Sequence, residues 1–258
     1  MELGIRGRKA MVCASSRGLG KACARALAEA GCAVTINGRD PARLAATAAE
    51  IGAATGATVL AVAGDLDDPD VRNALFAACP EPDILVNNNG GPPPKPFAEL
   101  TREAIVAGLD ANMLTPIALI QRALPGMAAR GFGRIVNITS SSVRAPIPGL
   151  DVSSGARAGL TAFVAASARA HAKNNVTINS IQPGAFDTDR IRVTLERAAA
   201  GGEDAAALRA RREAAIPAGR FGRPEEFGAL CAFLASASAG YITGQNILID
   251  GGAFPGAF

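Results

Sequence analysis

The sequence predicts one α/β domain, a doubly wound parallel sheet with helices on both faces. Three observations carry that expectation. Short apolar runs alternate with helical patterns along the whole chain. The runs are apolar throughout rather than every second residue, as strands buried on both faces are. A glycine-rich turn closes the first run and opens the first helical pattern. No linker, composition shift or internal repeat divides the 258 residues, so a single domain spans 1–258.

Each element has a local reason. Arg8 to Ala14 reads as the first strand, ended by Ser15-Ser16-Arg17-Gly18-Leu19-Gly20. A helix follows from Leu19 to Ala30, with Ala22, Ala26 and Ala30 on one small face, and Gly31 stops it. Cys32 to Asn37 is a second strand, and Asp40-Pro41 caps and opens the next helix. Thr58 to Ala63 is a third strand, and Asp68-Pro69 repeats the cap pattern for a helix to about Cys79. Asp83 to Val86 is a fourth, ending in Asn87-Asn88-Asn89-Gly90-Gly91 and three prolines. Two helical stretches are expected next, a short one from about Thr101 and a longer one ending near Arg130. Ile135 to Ile138 then forms a strand that runs into Ser140, Ser141 and Ser142. A long Ala-rich helix starts near Asp151, a sixth strand covers Val176 to Ile181, and a last one covers Asn246 to Ile249. The charged segment 185–219, with Gly201-Gly202 in its middle, is expected to be a substrate lid.

Composition removes several function classes. With 26 basic and 23 acidic residues spread along the chain, the net charge of +3 is too weak to argue for nucleic acid or a membrane surface. No apolar run reaches the length of a membrane span, and the N-terminus lacks a secretory leader pattern. The five cysteines and the single His171 show no metal-ligand spacing, so reduced, buried thiols are expected. A cytoplasmic location is the expectation.

In the first strand–helix turn, glycines let the backbone approach a pyrophosphate while the helix N-terminus offers free N–H groups, the Rossmann-type arrangement. The end of the second strand, where NAD sites often place a carboxylate, reads Asn37-Gly38-Arg39. Arg39 and Arg17 would instead suit a 2′-phosphate, since each guanidinium offers a planar set of donors. The expected cofactor is therefore NADP(H).

These stretches resemble the short-chain dehydrogenase/reductase family, and among its subgroups the 3-oxoacyl-acyl-carrier-protein reductase type. Cys13 to Gly20 is similar to the family's Thr-Gly-x3-Gly-x-Gly turn, with Ala14 at the first glycine and Ser15, Ser16, Arg17, Gly18, Leu19 and Gly20 around the cofactor. Asp65, with Leu66 beside it, resembles the Asp that contacts adenine. Asn88, Asn89 and Gly90 lie in the counterpart of Asn-Asn-Ala-Gly, and Asn112 falls at the Asn that holds a water. Pro183-Gly184 followed by Thr188 resembles the segment that binds the nicotinamide carboxamide. The ending, Gly244-Gln245 through Asp250-Gly251-Gly252, matches as well. The resemblance implies an oxidoreductase acting on a small-molecule substrate, and a homotetramer.

The catalytic signature of that family, Tyr-x3-Lys before an Ala-Gly pair, is altered. Aligned on Ala158-Gly159, Ser153 takes the Tyr place and Arg157 the Lys place, with Ser140 at the family's Ser. The one tyrosine, Tyr241, lies in the C-terminal segment. A serine hydroxyl is far less acidic than a phenol, whose pKa is about 10, and it reaches less far. Arg157 can hold ribose and stabilise an oxyanion, yet it does not release a proton near neutrality. Three outcomes stand open. A proton can be relayed from water through Ser140, Ser153 and neighbouring hydroxyls, or another acid such as Asp187 or Asp189 can serve. Otherwise the chain binds nucleotide without redox turnover, as a sensor or inactive partner subunit, or works as a lyase or isomerase. Under the first outcome the substrate is a carbonyl, an alcohol or an imine.

Overall fold

The computed structural model describes residues 2–200, 202 and 204–256; Gly201 of the expected lid hinge lies outside them. Seven parallel strands form one sheet in the order β3-β2-β1-β4-β5-β6-β7. They are β1 Lys9–Val12, β2 Ala33–Gly38, β3 Val59–Ala63, β4 Ile84–Asn87, β5 Gly133–Ile138, β6 Val176–Pro183 and β7 Asn246–Ile249. The strand order reverses between β1 and β4, and ligands of such sheets bind outside the strand ends at that switch point. Both the glycine-rich turn and the Asn87–Gly91 stretch leave the sheet there.

The helices are α1 Gly18–Glu29, α2 Pro41–Thr55, α3 Pro69–Ala78, α4 Arg102–Leu109, α5 Thr115–Ala129, α6 Asp151–His171, α7 Asp189–Ala200, α8 Ala205–Ala214 and α9 Pro224–Leu234. Both cap expectations hold, since Asp40 accepts from the Arg43 N–H and Asp68 from the Asp70 N–H. Strand residues point alternately to the two faces. Ala10 and Val12 join a core with Cys23, Leu27, Phe227 and Leu234, whereas Met11 faces a second core with Leu75, Leu119, Met127 and Leu160. The small face of α1 meets α9, where a Cβ on Gly228 would lie 2.5 Å from the Ala22 carbonyl oxygen. Leu195, Leu208, Ile216 and Phe221 form a small third core, so α7 and α8 make a hairpin with its own apolar contents.

The short and the long helical stretch expected after Thr101 are α4 and α5, and they run on into each other through a π-helical turn, Asp110–Leu114. The joined helix, Arg102–Ala129, is long and apolar enough by length and composition to cross a membrane. Its Leu119, Ile120, Ala123 and Met127 are instead buried in the second core of a soluble fold.

β5, which leads into the serines, is anchored by Arg134. That side chain is 1% exposed and donates to the carbonyls of Ser236, Gly133 and Asn175 and to Asn175 Oδ1. Burial lowers its pKa to about 10, with Arg8 adding to the effect.

All five cysteines are free and buried. Burial pushes the Cys13 and Cys32 thiols up to about 12 and raises Cys23 and Cys79 as well. A thiol reagent needs an exposed thiolate. The native protein is therefore expected to leave all five thiols unmodified by an aromatic disulfide reagent at pH 8, with five reacting in guanidinium. Rapid modification of a native thiol would contradict this core.

Candidate active site at the strand switch point

The phosphate-type turn is shaped by buried polar contacts. Ser15 is fully buried, donates to the Val12 carbonyl at 2.7 Å and accepts from the Asn37 N–H at 3.2 Å. Its hydroxyl therefore holds the turn in shape. Asn37 accepts from the Ala14 N–H and donates to the carbonyls of Val62 and Gly64. The residue at the second strand's end thus ties three strands instead of binding ribose. Ala14 sits at φ +42°, a left-handed conformation that explains why the resembled motif has glycine there. Asn88 donates to the Ala14 carbonyl at 3.0 Å. Gly20 permits the closest approach, since a Cβ there would lie 2.4 Å from that same oxygen.

The remaining cofactor candidates gather around this turn. Thr188 faces Gly18 across the cleft, with its Cγ2 3.8 Å from a Cβ built there. Pro183 ends β6, and Gly184 packs against Asp250. Arg17 and Ser16 flank the start of α1, Arg17 exposed and Ser16 half-buried. Leu19 packs on the first core and Leu66 is buried in the second, so their side chains support the cleft. Arg39 and Asp65 form an exposed ion pair at 3.8 Å. Asp40 serves as a helix cap.

The altered signature residues meet at the ends of β4 and β5. Arg157 is 7% exposed and donates three hydrogen bonds: Nε to Ser153 Oγ at 3.2 Å, Nη1 to the Ile138 carbonyl at 2.6 Å and Nη2 to the Asn89 carbonyl at 3.1 Å. Every one of these partners is neutral. Burial lowers the Arg157 pKa to about 10, and the charge of Arg190 pushes in the same direction. The side chain stays charged at neutral pH, and two of its five N–H groups remain for a ligand. Asn112, in the π-helical turn, donates to the Gly90 carbonyl at 3.1 Å, while its buried Oδ1 has no protein partner among the described residues. Asn89 is held by the Ala111 carbonyl and by Asp67.

The serines form a chain that local turn chemistry does not foretell. Ser140 Oγ accepts from the Ser142 N–H at 3.1 Å and from Ser142 Oγ at 2.8 Å. Ser142 Oγ accepts in turn from Ser154 Oγ at 2.8 Å. With both acceptor positions of Ser140 used, its own O–H is left to point at a ligand. The two alternative acids are spent elsewhere. Asp187 is held by Arg209 at 2.6 Å, and Asp189 by Arg192 at 2.5 Å and Arg43 at 3.7 Å. His171 lies at the far end of α6, its Nδ1 against the Ser167 carbonyl.

Ser153, Gly90, Gly91, Lys95, Leu150 and Val152 share a cleft of about 380 Å³, a size suited to a small molecule. A larger groove of about 850 Å³ along α1 and α9 meets the turn only at Gly18 and Thr188 and includes none of the serines.

A family model described as enoyl-(acyl carrier protein) reductase matches residues 13–253. The chain belongs to the short-chain dehydrogenase/reductase family. Members of that family similar to it include the 3-oxoacyl-[acyl-carrier-protein] reductase FabG of Aquifex aeolicus, 33% identical over 98% of this chain and 100% of the relative. The crystal structure of YwfH, an NADPH-dependent reductase involved in bacilysin biosynthesis, superposes with a TM-score of 0.91 at 32% identity, covering 97% of this chain and 99% of that one. An Agrobacterium tumefaciens 3-oxoacyl-(acyl-carrier-protein) reductase with NADP bound gives 0.88 at 33% identity, over 97% and 95%. These short-chain relatives are oxidoreductases, and the chain is an oxidoreductase of their family.

Gly20→Ala drives a methyl group into the Ala14 carbonyl, the Ser15 Cα and the Asn88 amide. The expected cost is about 2 kcal/mol of stability, read by denaturant unfolding of the ligand-free protein. An unchanged unfolding midpoint would mean that the turn is looser than described.

Proposed function

We propose that the chain is an NADP(H)-dependent oxidoreductase acting on a small carbonyl, alcohol or imine, and that its proton transfer runs through serine hydroxyls in place of a tyrosine phenol. The observation that carries this reading is the hydrogen-bonded Ser154–Ser142–Ser140 chain, which leaves the Ser140 O–H without a protein acceptor among the described residues.

Several features support the nucleotide. The turn leaves Gly20 no room for a side chain, and no carboxylate stands at the end of β2. Arg17 and Arg39 offer the planar donors that a 2′-phosphate needs. The Arg39–Asp65 pair is exposed and worth little, so Arg39 can exchange it for a phosphate at small cost. YwfH is described as NADPH-dependent, and the Agrobacterium reductase was solved with NADP.

The bound nicotinamide supplies or accepts the hydride; the chain supplies the rest. Ser140 donates its hydroxyl to the substrate oxygen or nitrogen. A proton passed on from Ser140 is replaced from Ser142, and that of Ser142 from Ser154, which is half-buried and open to water. Running the chain in reverse serves the oxidation direction. Ser153 accepts from Arg157 and keeps its own O–H for the cleft. The Arg157 charge stabilises negative charge developing nearby, and its two spare N–H groups are suited to ribose hydroxyls. Asn112 offers its unpartnered Oδ1 to a water. Half-exposed Phe163 and Leu114 support a homotetramer as part of this reading, and the uniformly reduced thiols suit a cytoplasmic setting.

Fluorescence titration is expected to show NADPH binding at least about tenfold tighter than NADH, a difference of 1.4 kcal/mol. Arg39→Asp should erase the preference and leave NADH binding unchanged. In assays of NADPH oxidation against a carbonyl and imine panel, Ser142→Ala should lower kcat at least about tenfold with the NADPH dissociation constant unmoved. Tight NADPH binding without turnover on any compound would favour a nucleotide-binding protein without redox activity. A preference for NADH would refute the roles of Arg17 and Arg39.

A further inference from the structure

Arg190 is the second residue of α7, and its guanidinium reaches across the cleft. A Cβ built on Gly91 would lie 3.5 Å from both its Nη1 and Nη2, and 3.4 Å from Ser153 Oγ. The guanidinium and the Ser153 hydroxyl therefore face a common point at the cleft wall. Thr188, two residues earlier, stands over Gly18 of the phosphate-type turn, whereas the Arg190 guanidinium lies against Gly91. Nearby arginines of the same hairpin are matched to acids, Arg192 to Asp189 and Glu196, and Arg209 to Asp187 and Glu213. Arg190 has no such carboxylate among the described residues, and neither has Lys95, which lines the same cleft. Its charge adds to the effect of burial in lowering the pKa of Arg157, whose own hydrogen-bond partners are all neutral. Gly91 and Ser153 belong to the wall of the cleft of about 380 Å³, which Lys95 also lines together with the apolar Pro92, Leu100, Ala104 and Val152; its two carboxylates, Asp65 and Asp67, are engaged by Arg39 and by Asn89 and Thr115. A guanidinium at that wall without a carboxylate of its own is suited to a bound anion.

We infer that the substrate is an oxo carboxylate with a small apolar body, its carboxylate held by Arg190 beside Ser153 and its apolar part in the cleft toward Leu100 and Val152. Arg190 is then a specificity-determining residue, one that selects acids over neutral ketones and esters. The planar fork suits a carboxylate through two parallel N–H···O bonds. This inference rests on the oxidoreductase reading, and its test separates the two.

The test is calorimetric titration of the NADP⁺-saturated protein and of the nucleotide-free protein. The probes are acetoacetate, 2-oxobutanoate and 4-oxopentanoate, each against its methyl ester. At least one acid should bind tenfold or more tighter than its ester. Arg190→Met should remove that gap by weakening the acid alone, Arg190→Lys should retain part of it, and NADPH affinity should change less than twofold in both variants. Equal affinity of acids and esters, or no binding of any acid, overturns the inference. A large loss of NADPH affinity in Arg190→Met with the acid–ester gap intact also overturns it, by making Arg190 a cofactor contact. Failure of NADPH to bind the parent protein would defeat the oxidoreductase reading, and the acid–ester gap in the nucleotide-free protein then still decides the role of Arg190.

Discussion

The site depends on a buried cation with only neutral partners. Arg157 joins the ends of β4 and β5 to α6 through Asn89, Ile138 and Ser153. Removing a guanidinium from water is costly, and hydrogen bonds from a charged donor, each about 1.5–3 kcal/mol, are what offset it here. A lysine offers three N–H groups on one atom and cannot span three partners in this planar way. Ser153 and Arg157 therefore work as a pair. The serine leaves room for the guanidinium and accepts its Nε hydrogen, and the arginine fixes the wall against which a ligand would sit.

That arrangement changes what the cleft can do. Where the family has a phenol, this chain has a short hydroxyl and an uncompensated positive charge. Charge stabilisation is thus built in, while the proton must arrive by another route. The hydrogen-bonded Ser154–Ser142–Ser140 chain is the route proposed for it. Asp187 and Asp189, the other candidates, are committed to arginines that hold the α7–α8 hairpin and dock it on Arg43. The hairpin brings Arg190 to the cleft on the same helix. A single element therefore carries both the ion pairs that fix its position and Arg190.

Much of this was legible in the chain, for identifiable reasons. Caps such as Asp40-Pro41 and Asp68-Pro69 act within three residues, so they read directly from sequence. The strands were legible because both faces are buried and each run is apolar. The continuity of 102–129 was not, since a π-helical turn has no local signature and Pro116 and Pro125 suggest interruption. Within the site, the positions of Ser140, Ser153, Arg157 and Asn112 followed from motif spacing. Their partners did not: the carbonyls of Asn89 and Ile138 come from different strands, and Ser142 meets Ser154 only because the loop folds back on α6. The burial of Ser15 was not legible either, since it depends on Asn37 in the neighbouring strand. Arg190 was hidden as one arginine in a charged helix, and only the tertiary fold sets it against Gly91.

The central claim is that this is a short-chain oxidoreductase site whose proton donor and neighbouring cation depart from the family. Restoring both with Ser153→Tyr and Arg157→Lys tests it most directly, with thermal unfolding and NADPH affinity measured on the same variant. The account predicts a folded protein that binds NADPH and gains reduction of simple neutral ketones, which neither single substitution confers. A double variant that folds and binds NADPH but reduces none of them would contradict it.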